Sequence, residues 1–165
     1  MTPPTRDRRL LALAGLLLAL GCGPRAESVA DYEVKIAVRR YNEVLPVAYS
    51  RADAGLLAET ATPDEVRRVE DLIGFLAQGR MVMDARQEAF EAGRVVHESE
   101  ARATVEATEI WWYRHWVPET GEVKQAPRRV RYQNRYHCVR ADGRWRVDRL
   151  EETGYEELSG PVPAR

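Results

Sequence analysis

ARATVEATEIWWYRHWVPETGEVKQAPRRVRYQNRYHCVRADGRWRVDRLEE, residues Ala101 to Glu152, is the stretch whose reading decides the fold. Small or apolar residues alternate with polar ones from Ala101 to Trp116, the period-two pattern of a strand with one buried face. Pro118-Glu119-Thr120-Gly121 then offers proline and glycine where a chain reverses. A second alternating run spans Arg129–Arg140, with Val130, Tyr132, Tyr136 and Cys138 on one face. Ala141-Asp142-Gly143 is a tight-turn signal, because glycine takes positive φ without a steric penalty. Arg144–Leu150 closes the meander with Trp145 and Val147 on one face. Three antiparallel strands are expected.

Upstream the period changes to that of a helix. Thr62-Pro63-Asp64-Glu65 reads as a capping residue, a proline at the first helical position and the acidic partner of a capping box. Val66, Val69, Ile73 and Leu76 continue it as a buried stripe, and Gly79 stands at its C-terminal cap. Arg67, Arg68, Glu70 and Asp71 form the solvated side. An earlier stripe runs through Val34, Val38, Tyr41, Leu45 and Ala48, beginning near Val29. Pro46 falls inside it and predicts a kink or break at Leu45, with apolar spacing resuming at Tyr49, Leu56 and Leu57. Between the second helix and the meander, Met81, Met83 and Ala85 alternate, and Phe90, Val95 and Val96 surround Gly93. That segment fits two strands or one long strand with a break. Helices first and a meander last indicate an α+β fold, with the helices across one face of an antiparallel sheet.

At 165 residues the chain has room for one domain with a real core. A formal net charge of −1, with 31% charged residues, carries no global signal for nucleic acid. The only lysines are Lys35 and Lys124, and that arginine bias is given no functional weight. Two distant cysteines provide neither a metal-ligand spacing nor a disulfide framework, and no cofactor is implied.

The N-terminus reads as an address. Arg6, Arg8 and Arg9 precede Leu10–Leu20, a run made only of Leu, Ala and Gly. As a helix this run rises about 16 Å, short of a bilayer core of roughly 30 Å, so it describes an export signal and not a span. Leu18-Ala19-Leu20-Gly21-Cys22 resembles the bacterial lipobox, departing from it at Ala19 and in the size of Leu20. The resemblance implies acylation of the Cys22 thiol, cleavage before it and acylation of the new amine. Two or three acyl chains suffice for stable membrane anchoring. Gly23 is not the aspartate that resembles an inner-membrane retention signal, which favours the periplasmic face of the outer membrane. Residues 1–21 are thus expected to be a signal peptide, 22–30 a lipidated tether, 31–158 the domain and 159–165 a flexible tail.

The order helix, capped helix, glycine, broken strand, long hairpin and closing strand resembles the nuclear transport factor 2-like fold. Ala101–Tyr113, Val130–Val139 and Asp142-Gly143-Arg144-Trp145-Arg146-Val147 carry the resemblance, which covers most of Asp31–Glu152. That superfamily includes SnoaL-like polyketide cyclases, ketosteroid isomerase, scytalone dehydratase and the intermembrane-space domain of a chloroplast-division protein. The resemblance implies a cone of curved sheet and helices whose interior is filled or holds a ligand. Catalytic members use Asp, His or Tyr groups inside the cone. Here Tyr41, Tyr49 and Asp53 lie in the right region, with no motif to fix them.

Several residues are candidates for a site. Glu109 interrupts the apolar phase Ala103, Val105, Ala107, Trp111, Tyr113, and Asn134 interrupts the facing run. A regular strand would turn Glu109 inward, where a carboxylate resembles a general base. A β-bulge near Thr108–Ile110, the favoured expectation, would put it in water. Consecutive Trp111 and Trp112 must face opposite sides, so one lies outside the main core unless something covers it. Tyr41, Tyr49, Trp111, Tyr113, Tyr132, Asn134 and Tyr136 are the candidate pocket-lining set, the favoured alternative being that the aromatics fill the core of the cone. His97, His115 and His137 are scattered, and His137 shares a face with Arg131, Gln133 and Arg135, so no metal site is expected. The arginines of the last hairpin either meet anionic lipid or an acidic partner, or pair with Glu106, Glu122, Asp148 and the Glu-rich end. Cys138 reads as a buried, unreactive thiol.

Three functions fit this sequence. The leading one is a non-catalytic, lipid-anchored envelope protein whose domain binds another envelope component. The second is a carrier or sensor of a small apolar ligand. The third is an isomerase, dehydratase or cyclase with Glu109 as its base.

Overall fold

The computed structural model describes residues 28–159. Cys22, the signal segment and the end of the tail lie outside the described residues. Two helices, α1 (Val29–Arg51) and α2 (Pro63–Gln78), are joined through a 3-10 turn at Ala54–Leu57. Four strands follow: β1 (Val82–Ser99), β2 (Arg102–Trp116), β3 (Val123–Ala141) and β4 (Arg144–Glu157). They form one antiparallel sheet in the order β1-β2-β3-β4. The fold is α+β, with the helices laid across one face of a curved sheet.

The helix α1 starts where Ser28 accepts a hydrogen bond from the Asp31 amide at 3.1 Å. It does not break at Pro46, contrary to expectation, and runs on to Arg51. A proline inside a helix costs about 3 kcal/mol. The buried stripe of Val34, Val38, Tyr41, Leu45 and Ala48 contributes roughly 1.5–3 kcal/mol for each large side chain and outweighs it. The helix ends in a left-handed Ala52, φ 52°, whose amide turns back to Ala48 and Tyr49.

Thr62 caps α2, accepting from the Glu65 amide at 3.4 Å, with Pro63 at the first helical position. The reciprocal half of the capping box is absent. The Thr62 amide donates instead to the Val147 carbonyl at 2.9 Å, and Val147 donates to Thr60 at 2.9 Å. These bonds fasten the start of α2 to the outer edge of β4 and release the Glu65 side chain for the core. At the other end Gly79 occupies the cap with φ −86°, and the left-handed residue is Arg80, φ 54°.

The segment after α2 is one long broken strand. Register shifts interrupt β1 between Gln87 and Ala89, between Ala92 and Val95, and between His97 and Ser99. Gly93 sits at the middle one, where an added Cβ would come within 3.2 Å of the Glu106 carbonyl. The bulge expected near Thr108–Ile110 is thus displaced onto β1, and β2 pairs regularly from Arg102 to Tyr113 with β3. An extra residue in an edge strand disturbs one ladder, whereas in β2 it would disturb two. Asp142 (φ 52°) and Gly143 (φ 74°) make the β3–β4 turn, both left-handed as the tight hairpin requires. Strand β4 outruns its expected end at Leu150, reaching Glu157 through Tyr132↔Tyr155 and Arg131↔Glu156 pairing.

On the helix side Val34, Val38, Tyr41, Leu57, Val105, Tyr136 and Val147 are completely enclosed. The opposite face explains the double tryptophan. Trp112 points away from the helices yet is buried, because Arg86 and Arg114 each lie 5.8 Å from its ring centre. Arg114 is held by Asp84 at 3.1 Å, and Arg129 by Glu88 at 2.5 Å. The hairpin arginines pair within the protein: Arg131 with Glu156 at 2.6 Å, Arg135 with Glu106 at 3.3 Å, and Arg128 with Glu157. Glu122 takes Lys124 at 2.7 Å, and Asp148 takes the Thr62 hydroxyl at 3.0 Å. Among the described residues, no helix is long and apolar enough to cross a membrane.

Candidate functional site

Glu109 sits at the centre of the sheet's inner face, 1% exposed. This corrects the expectation that it meets water. The strand stays in phase because the carboxylate finds donors from four elements. Asn42 Nδ2 of α1 donates to Oε1 at 3.3 Å. Gln87 Nε2 of β1 and Trp111 Nε1 of β2 donate to Oε2 at 3.3 and 2.5 Å. The Tyr136 hydroxyl of β3 donates to Oε1 and also lies 3.1 Å from Asn42 Oδ1. An oxygen pair surrounded by donors alone has the partners of an ionised carboxylate. A buried carboxylate is tolerated when so bonded.

Burial, reinforced by the charge of Glu109, pushes the Tyr136 phenol well above its usual range. Tyr41 behaves alike, raised by burial and then by Glu65. The Tyr41 hydroxyl donates to Glu65 Oε1 at 2.8 Å, and Arg68 grips Glu65 Oε2 at 2.9 Å. Two carboxylates are therefore buried under the helices, and they differ in kind. Glu65 has a guanidinium beside it, whereas the donors to Glu109 are all neutral.

Glu109 floors a cavity of about 380 Å³ toward one end of the cone. Tyr49, Trp111, Tyr113, Tyr132, Asn134 and Tyr136 of the candidate set line it. Tyr41 does not, since it lies behind them with its ring edge-on to Tyr136 at 6.3 Å. Reading of the sequence missed Leu45, Leu72, Met83, Ala85, His115, Leu150 and Glu152 of the lining, and Asn42 and Gln87 of the carboxylate shell. Asn42 was detectable as a polar residue four places after Val38, on the apolar stripe. Gln87 continues the inward phase of Met83 and Ala85. Across the cavity wall the Tyr113 and Tyr132 hydroxyls are 3.5 Å apart, and burial raises the Tyr132 phenol. Burial lowers the pKa of His115, favouring its neutral form.

The remaining candidates lie elsewhere. His97 meets Asp31 at 2.9 Å beside a broader recess at the start of α1, and His137 meets Glu151 at 3.2 Å. Asp53 caps the 3-10 turn through the Gly55 amide at 2.9 Å. Cys138 is a free, buried thiol that burial pushes up to about 12.

Two helices over a curved four-stranded sheet, with a cavity under them, define a nuclear transport factor 2-like cone. The intermembrane-space region of chloroplast protein ARC6 superposes on it with a TM-score of 0.65 and 19% identity, over 78% of this chain and 98% of that one. A type 2 hexachlorocyclohexane dehydrochlorinase, LinA, gives a TM-score of 0.50 and 12% identity, over 82% and 96%. A ketosteroid isomerase-like protein from Erwinia carotovora atroseptica gives 0.48 and 19%, over 78% and 96%. No protein-family model and no curated protein matches the chain. The first two likenesses show the fold, and fold alone does not carry a function.

Proposed function

We propose that the chain is a lipid-anchored cell-envelope protein that binds a small, largely apolar molecule in its cone without transforming it. The observation that carries this reading is the cavity, whose volume and aromatic lining suit a small ligand (~300–1,000 Å³). Glu109 weighs against chemistry. A general base needs a free lone pair aimed at the substrate, and four donors already occupy its oxygens. The isomerase, dehydratase or cyclase reading therefore has the right fold and an engaged base.

Native mass spectrometry of the gently solubilised protein tests the binding reading. A bound small molecule that leaves on unfolding is the expected result, and a ligand-free protein that takes up no small molecule sinks it. The anchor rests on Leu18–Cys22. Wild-type protein labelled with radioactive palmitate in its native host should carry label, and Cys22→Ser should not. Unlabelled wild-type protein, recovered soluble with its N-terminus elsewhere, leaves only export.

Interaction with another envelope protein is the second reading. Phe75 is 66% exposed on α2, and Leu72, one turn earlier, lines the cavity rim. A partner covering that rim would be captured by crosslinking in native membranes through residue 75, and the same crosslinker on a β3 surface residue would miss it.

A further inference from the structure

The cavity is electrostatically one-sided. Glu109 and Glu152 contribute carboxylates to its lining. The chain carries 25 lysines and arginines, yet among the described residues none lines the cavity. The charge of Arg128 is felt by His115 and Tyr132, and that guanidinium is engaged with Glu157.

Buried charges are ordinarily paired, and Glu65 obeys that rule through Arg68. Glu109 has hydrogen bonds and no counter-charge in its shell. Five aromatic rings share the cavity with it: Tyr49, Trp111, Tyr113, Tyr132 and Tyr136. The face of such a ring is electron-rich and attracts cations. Elsewhere the protein supplies that cation itself, with Arg86 and Arg114 on Trp112, Arg114 on Trp116 and Arg39 on Phe90. Among the described residues, no guanidinium stands over a cavity ring.

Building on the small-ligand reading, we infer that the cavity binds an organic cation with alkylated, apolar surface, of the trimethylammonium type. Its methyl groups bury against the rings and its charge completes the pair that Glu109 lacks. A bare metal ion does not fit, because the groups around Glu109 present N–H and O–H donors where a metal needs lone pairs. A primary ammonium fits less well, since its strong hydration is lost among apolar walls and Glu109 has no oxygen left to accept its protons.

The test uses three probes of similar shape on the whole protein, read by calorimetry: choline, the uncharged 3,3-dimethylbutan-1-ol, and 3,3-dimethylbutanoate. Choline should bind at least ~10-fold tighter than the alcohol, as a desolvated cation–π site requires, and the carboxylate should not bind. Glu152 is exposed at the rim, so Glu152→Gln leaves the fold alone. It should weaken choline by roughly 3-fold, the loss of one screened charge, and affect the alcohol by less than that. Alcohol binding as tightly as choline overturns the cation assignment while leaving the small-ligand reading standing. Failure of all three probes also overturns the cation assignment, and the mass spectrum of the purified protein then decides separately whether anything binds.

Discussion

Four elements meet at one carboxylate, so Glu109 is the residue where sequence errors are most damaging. Glu109→Gln keeps the volume but points an NH2 group at donors. At about 1–3 kcal/mol for each buried group left unsatisfied, the variant should lose roughly 2–5 kcal/mol in urea unfolding. Tyr136→Phe removes a single hydroxyl and should lose about 1–2 kcal/mol by the same measurement. The larger loss must belong to Glu109; equal losses would mean the four donors relax to new partners. The residue announced itself in the sequence only as a break in the apolar phase of β2. Its answer to burial comes from Asn42, Gln87 and Tyr136, distant in sequence, and alternation within one strand cannot show that such partners exist. The bulge expectation failed for that reason.

Caps and turns are local physics, and they were the most legible elements. Thr62 and the Asp142-Gly143 turn act through neighbours within a few residues. The break allowed for at Pro46 does not occur, because tertiary burial that no short window contains outweighs the local penalty. The same helix offers a correctable defect. Ala52 holds a left-handed conformation, φ 52°, that favours glycine. Ala52→Gly should stabilise the protein by about 1 kcal/mol, raising the urea midpoint without changing the slope. Thr62 both caps α2 and holds Asp148, at 3.4 and 3.0 Å. Thr62→Ala should therefore lose about 1–2 kcal/mol, and Asp148→Ala should recover only part of that effect in the single variant.

For the whole molecule, the buried phenols set a limit on alkaline tolerance. Burial raises Tyr41, Tyr49, Tyr132 and Tyr136 above the ordinary 10. A group raised on folding keeps its proton in the folded state and gives it up in the unfolded one. Its contribution is complete below about pH 10 and is lost as the pH climbs through the folded value. The melting temperature should hold level from about pH 7 to 9 and drop above about pH 10, and Tyr41→Phe should soften that drop. The global architecture was legible because period two and period 3.6 follow each other in order. Which aromatics enclose a cavity was half legible, since a strand reveals its faces but not the curvature that opens a space between them. The three register shifts in β1 have a further consequence at this scale. The opposite edge of the sheet, β4, is stitched at Val147 by Thr60 and Thr62, whereas β1 is the terminal strand on its side, 18 residues long. A straight edge of that length is a template on which other chains crystallise into fibrils. Each misplaced residue, Glu88 foremost, throws the next molecule out of step. Deleting Glu88 should leave a folded protein whose edge is smooth enough to seed thioflavin-positive aggregates that the wild type does not form.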